Sequence, residues 1–446
     1  MISLKARLGG ILIAVTIITA PAAVRTDDKA FALRIPIQAN NPIAITDVTV
    51  IDVESGARID GANVVTVGDR IVRVGRSAVI PPGATRINGR GQFLVPGLWD
   101  MHSHHQAAGV ESLELFLANG VVGTRDMGSD ADFILPLRDR IARGAVAGPE
   151  IVAAGPILDD RPPDWPFRRR VRNAEEARAA VRDLKRRGVD FIKVHDSTPR
   201  DAFFAIADEA AKLGLPFAGH VPFDITVEEA ADAGMRSIEH LANYRVYGDC
   251  SGRGAYSAAG CAARFAKLTA RHVWQTPTVA FFRAIPELFS GAPMAHGEYA
   301  SDPLLEMSRK NREVSKLSDT AIASLRAAAA ESLPAVRDLA IRGPGVLAGC
   351  DGLVPGFCLH DELQALAEAG LSPLRALQTA TINPARYFGR ENVQGTIEAG
   401  KRADLVLLDS DPLLDIRNTQ RIAVVIVRGR LISRTEIDRI LAAHRR

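Results

Sequence analysis

Two histidines one residue apart, His102 and His104, close an apolar run that starts at Phe93 and turns once at Pro96-Gly97. On an extended backbone, residues i and i+2 point to the same face. The two imidazoles therefore project together, and His105 projects to the other side as a structural residue. Two imidazoles side by side at a strand end make half of a metal site. The pattern recurs down the chain. Lys193 sits in Phe191-Ile192-Lys193-Val194-His195, His220 ends Pro216-Phe217-Ala218-Gly219-His220, His240 ends Ser237-Ile238-Glu239-His240, and Asp351 ends Val346-Leu347-Ala348-Gly349-Cys350-Asp351. Any one strand-end histidine among the ten present reads as a satisfied core residue. Four of them, joined by an aspartate and a lysine in apolar surroundings, read as one site.

Such a site needs a scaffold that brings distant run ends together. Eight short apolar runs alternate with helical stretches: the His102/His104 run, then 121–125, 151–155, 191–195, 216–221, 237–241, 273–279 and 346–351. One helix opens at Asn173, with Glu176 three residues on as a capping box, and stops at Gly188. Another opens at Thr226 with Glu229 and ends at Gly234. Eight alternating units give an α/β fold, a (β/α)8 TIM barrel, with a doubly wound open sheet as the runner-up. In a barrel the chemistry lies at the C-terminal strand ends, where these residues stand. Both chain ends instead carry period-two strand patterns and hairpins, such as Ala62–Val67 with Arg70–Val74 and Val424–Arg428 with Arg430–Ile432. The expected division is a β-sandwich domain from residues 43–92 plus 393–436 and a barrel from residues 93–392.

The chain has 446 residues, 47% of them hydrophobic, enough for a large core. Fifty-five Lys and Arg against 52 Asp and Glu leave +3, which gives no electrostatic case for nucleic acid. Residues 1–22 read as a signal peptide: Lys5 and Arg7, an apolar core from Gly9 to Thr19, and a small-residue cleavage site at Ala20-Pro21-Ala22. The expectation is an exported protein, periplasmic or secreted, with no membrane association in the mature form. In an oxidising compartment the four cysteines favour disulfides. Cys250–Cys261 is the expected pair. Cys350–Cys358 stays open, because Cys350 also reads as a buried strand residue.

The stretch Val95-Pro96-Gly97-Leu98-Trp99-Asp100-Met101-His102-Ser103-His104 resembles the first-strand motif of the amidohydrolase superfamily. Ile192-Lys193-Val194, Gly219-His220-Val221-Pro222, Ser237-Ile238-Glu239-His240, Ala348-Gly349-Cys350-Asp351-Gly352, Leu359-His360-Asp361-Glu362-Leu363 and Ala380-Thr381-Ile382-Asn383-Pro384 extend the likeness over roughly residues 43–435. It is closest to the imidazolonepropionase-like branch, which includes Xaa-Pro dipeptidases. That resemblance implies two divalent ions, zinc foremost among zinc, manganese, cobalt and iron. His102, His104 and Asp351 would hold one ion and His220 and His240 the other. Lys193, carboxylated on its amine, would bridge them as an anion able to span metals about 3.5–4 Å apart. Imidazolonepropionases themselves are mononuclear and lack this lysine.

The implied reaction is amide hydrolysis by a metal-bridging hydroxide, with Asp351 as the proton shuttle. A dipeptide, Xaa-Pro or similar, is the first substrate. N-acyl amino acids or a xenobiotic amide are alternatives on the same site, and a non-catalytic metal-binding barrel is the alternative of another class. A terminal carboxylate would want an Arg fork or a Tyr hydroxyl near the metals, which selects Tyr244 and Arg245 just past His240. His195 shares the face of Lys193 and is a further substrate contact. His360 reads as a loop orienter. Family likeness also implies a homo-oligomer.

Overall fold

The strand-forming runs become parallel strands of three to six residues. A computed structural model describes residues 41–161, 167–242, 245–248, 250, 256–315 and 317–446. The signal-peptide expectation for residues 1–22 and the substrate role expected of Tyr244 lie outside the described residues. Seven expected runs form Leu98–Ser103, Val121–Asp126, Glu150–Ala153, Ile192–Val194, Phe217–Gly219, Ser237–Glu239 and Trp274–Thr276. The eighth is anchored by a parallel bridge between Val346 and Gln275. Met101 N–H donates to Ala348 O (2.8 Å) and Cys350 N–H to His102 O (3.1 Å), which bring the last run beside the first.

These strands do not form one continuous ladder. They fall into a three-stranded and a six-stranded parallel sheet. The third strand explains the seam. Glu150–Ala153 pairs with Val121–Asp126; then the chain bends at Gly155 (φ +69°) and resumes as Ile157–Asp159, which pairs with Ile192–Val194. The seventh run ends sooner than its apolar pattern predicts. Pro277 follows Thr276, Thr278 takes φ +49°, and a helix, Val279–Ser290, begins at once.

Between strands, Ala174–Arg187 starts at Asn173, whose side chain accepts from Glu176 N–H, and stops at Gly188 in the left-handed region. The expected box is half formed, because the Glu176 carboxylate accepts from Arg172 N–H instead. At Thr226 and Glu229 both halves are present. The two chain ends join in one sheet of eight strands. Phe93–Pro96 lies between Ile43–Ile51 from the N-terminal side and Leu405–Leu408 from the C-terminal side. Period-two alternation divides its faces. Leu94, Leu405 and Leu407 enter the sheet's own core, whereas Val95, Val406 and Leu408 join the barrel core. Both disulfides, Cys250–Cys261 and Cys350–Cys358, are formed. Among the described residues no helix is long and apolar enough to cross a membrane.

Candidate metal centre

The C-terminal strand ends converge on one buried cluster. His102 and His104 leave the first strand on the same face, with ring centroids 5.4 Å apart. Asp351 meets both: its Oδ1 lies 3.4 Å from His102 Nε2 and 3.3 Å from His104 Nε2. Its other oxygen, Oδ2, lies 3.4 Å from His240 Nε2. His220 adjoins His240, ring centroids 4.8 Å apart. His240 and Asp351 reach these positions with φ of +56° and +52°. A non-glycine residue held there stores strain, which persists only where surrounding contacts over-determine it and clusters at functional sites.

The opposite ring nitrogens are all engaged. His102 Nδ1 lies 2.9 Å from Glu239 Oε2, His104 Nδ1 3.0 Å from Gly128 O, His220 Nδ1 2.9 Å from Asp196 Oδ1 and His240 Nδ1 2.7 Å from Thr278 Oγ1. Carboxylates and carbonyls only accept, so the first three rings carry hydrogen on Nδ1 and keep the Nε2 lone pair. The His102 lone pair is then aimed at Asp351 Oδ1, 3.4 Å away, and among the described residues His102 Nε2 is buried without a hydrogen bond. Acceptor facing acceptor is repulsive unless a cation stands between them. Imidazole nitrogens with carboxylate oxygen suit zinc and its first-row neighbours. The residues present therefore fit a divalent metal.

Charge and burial act together here. Burial, aided by Lys193, drives His102 well below the ordinary imidazole value, and burial brings His240 down to about 3. Burial alone would raise Asp351; His240, His104 and Lys193 reverse that and hold its carboxyl below the usual range. Lys193 is 1% exposed, and burial lowers its amine to about 8. Gly219 (φ +137°) leaves it room, because a Cβ there would lie 3.0 Å from Lys193 Cδ and 2.1 Å from Val194 O.

A family model for the amidohydrolase family matches residues 93–432, from the first barrel strand into the C-terminal sheet. The chain belongs to the amidohydrolase family. It is a hydrolase acting on C–N bonds. The ochratoxinase of Aspergillus niger is 25% identical over 423 residues, spanning 79% of this chain and 78% of the relative. In fold it is similar to a Xaa-Pro dipeptidase solved with methionine in its active site (TM-score 0.69, 20% identity, 88% of this chain and 100% of the other). It is likewise similar to bottromycin amidohydrolase (TM-score 0.71, 23% identity, 90% of this chain and 89% of the other). These likenesses place the eight-run barrel and its appended sheet in a known architecture.

Two expected substrate contacts in this amidohydrolase find different surroundings. His195 stacks on His220 at 3.9 Å. Arg245 instead donates to the backbone carbonyls of Val221, Pro222 and Ile225. That use ties the loop after Phe217–Gly219 and replaces the carboxylate fork expected of it. His105 turns away from the cluster, its Nε2 2.8 Å from Thr124 Oγ1. His360 joins Thr419 Oγ1 and Asn119 O, tying its helix to neighbouring segments.

The supporting residues escaped the sequence reading. Arg125 is fully buried and donates to Met101 O, Ser237 Oγ, Tyr387 OH and both Glu239 oxygens, the last two at 2.8 Å. Glu239 passes that fixed orientation to His102, and Asp196 does the same for His220. A signal was present: a charged residue inside an otherwise apolar strand run, as at Arg125 and Glu239, requires a buried partner.

Proposed function

We propose that this chain is a binuclear, zinc-type amidohydrolase that cleaves an amide bond in dipeptides, Xaa-Pro or similar. The carrying observation is the convergence of three imidazole Nε2 atoms on the Asp351 carboxylate within 3.4 Å. His102, His104 and Asp351 would hold one ion, His220 and His240 the other, with Lys193 between them as a carbamate. A lowered amine pKa favours this, because the uncharged amine is the form that adds CO₂. Divalent ions, when bound, make water acidic enough to act as a nucleophile at neutral pH and polarise the amide carbonyl. Asp351 accepts the proton of the attacking water on a carboxylate oxygen and returns it to the leaving nitrogen. Glu239, Gly128, Asp196 and Thr278 hold the imidazoles so that no reorganisation accompanies the step. Phe281 and Phe282, with ring centroids 6.2 and 5.8 Å from His240, offer an apolar wall beside the centre.

The similarity to a Xaa-Pro dipeptidase supports dipeptides. The ochratoxinase likeness supports the second reading, an N-acyl amino acid or xenobiotic amide. The proposal also takes residues 1–22 as an export leader, residues 43–92 plus 393–436 as the appended domain, and a homo-oligomer in solution. The test is a screen of metal-loaded protein against dipeptides and N-acyl amino acids. Hydrolysis abolished by a chelator and restored by zinc supports the reading. Full metal loading with no turnover of any amide would leave the non-catalytic barrel in its place.

A further inference from the structure

We infer that His195 is the acceptor for a free α-amino group on the substrate, oriented for that task by Asp159. The inference rests on the amide-hydrolase reading and narrows it, because it separates dipeptides from N-acyl amino acids.

The rings of His195 and His220 stack at 3.9 Å with 27° between their planes. Both turn Nδ1 toward Asp196: His220 Nδ1 lies 2.9 Å from Oδ1, and His195 Nδ1 lies 3.7 Å from Oδ2. The stack seats the partly exposed His195 ring directly beside a ring of the centre. A second carboxylate, Asp159, stands 3.7 Å from His195 Nδ1. Facing two acceptors, Nδ1 carries the hydrogen and Nε2 keeps its lone pair. The substrate group that fits such a nitrogen is an N–H donor.

Among the described residues His195 Nδ1 is buried without a hydrogen bond, and Asp159, also without one, faces the buried Arg168 Nε at 3.7 Å. Asp159 side chain is 0% exposed and His195 12%. The imidazole is thus the member a substrate reaches, and Asp159 is a positioning residue acting through it. Contacts of this kind are often long before substrate binds and tighten in the complex. In a dipeptide the α-amine sits on the carbon next to the scissile carbonyl, so it falls beside the carbonyl position. An N-acyl amino acid places only an alkyl or aryl group there.

The experiment compares L-alanyl-L-proline with N-propanoyl-L-proline, which lacks only the amine. Wild type should favour the first by about 10- to 100-fold in kcat/KM, the range of a charge-assisted hydrogen bond, and mainly through KM. His195→Phe, which keeps the stack on His220, should shrink that preference to within about threefold. Asp159→Asn should shrink it partway and add nothing in the His195→Phe background. Calorimetry with L-alaninamide against propanamide reads the same contact without turnover. Equal use of both amides by wild type, or an unchanged preference in His195→Phe, overturns the inference while amide hydrolysis stands. If neither amide is cleaved, the Xaa-Pro reading falls and calorimetry decides: L-alaninamide binding lost in His195→Phe upholds the contact, and unchanged binding overturns it.

Discussion

Glu239→Gln probes the least visible part of the centre, the buried ion pair behind His102. Glu239 and Arg125 are both 0% exposed, with Arg125 Nη2 2.8 Å from Glu239 Oε1. Arg125 keeps neutral partners in the variant, but its charge loses the carboxylate it is paired with. Removing one member of a buried pair costs about 3–5 kcal/mol. Unfolding entropy of about 2.1 cal/mol/K per residue then converts that into a fall of roughly 3–5 °C in Tm for a chain of this length. The amide is also a weaker acceptor for His102 Nδ1–H, and loss of such a partner lowers metal affinity by about 10- to 100-fold. Differential scanning fluorimetry with and without zinc reads the first effect, and competition against a chromophoric chelator reads the second. Combining the change with Arg125→Met removes both charges and should restore part of the lost Tm. A Glu239→Gln protein with wild-type Tm and zinc affinity would refute this account of how His102 is held.

Asp351→Asn should retain most bound metal and lose turnover by about 10²- to 10⁴-fold; elemental analysis beside steady-state kinetics checks both. Lys193→Ala should lose activity and recover part of it with added short-chain carboxylates, while intact-mass measurement of wild type under CO₂ shows the added mass of one CO₂ that the variant lacks. Glu362 is raised by burial from 4.5 to about 8, so over that interval the folded chain keeps a proton that the unfolded chain has released. Its contribution to stability is full below pH 4.5 and is lost as pH rises toward 8, so Tm of wild type should fall more from pH 5 to 8 than Tm of Glu362→Gln. Parallel Tm curves for the two proteins would remove that assignment.

The clustered histidines and Asp351 were legible in the chain because each stands at the end of an apolar run, and strand geometry alone pairs His102 with His104. Barrel topology then accounts for their meeting His240 and Asp351. Arg125, Glu239 and Asp196 were less legible because their roles lie in contacts rather than spacing: Arg125 reaches Ser237 and Glu239 from more than a hundred residues away. Arg245 misled for the same reason. Its position after His240 is right for a pocket mouth, but three backbone carbonyls of the preceding loop take up its guanidinium. The run at 151–155 is continued beyond the bend at Gly155 by Ile157–Asp159, a continuation that shows only in its pairing with Val194.

The central claim is that six side chains from distant strands gather two cations. Anomalous diffraction from zinc-loaded crystals tests it directly. The account predicts two peaks, one bonded to His102, His104 and Asp351, the other to His220 and His240, with density joining both to Lys193. A single peak, or peaks away from these residues, would contradict it.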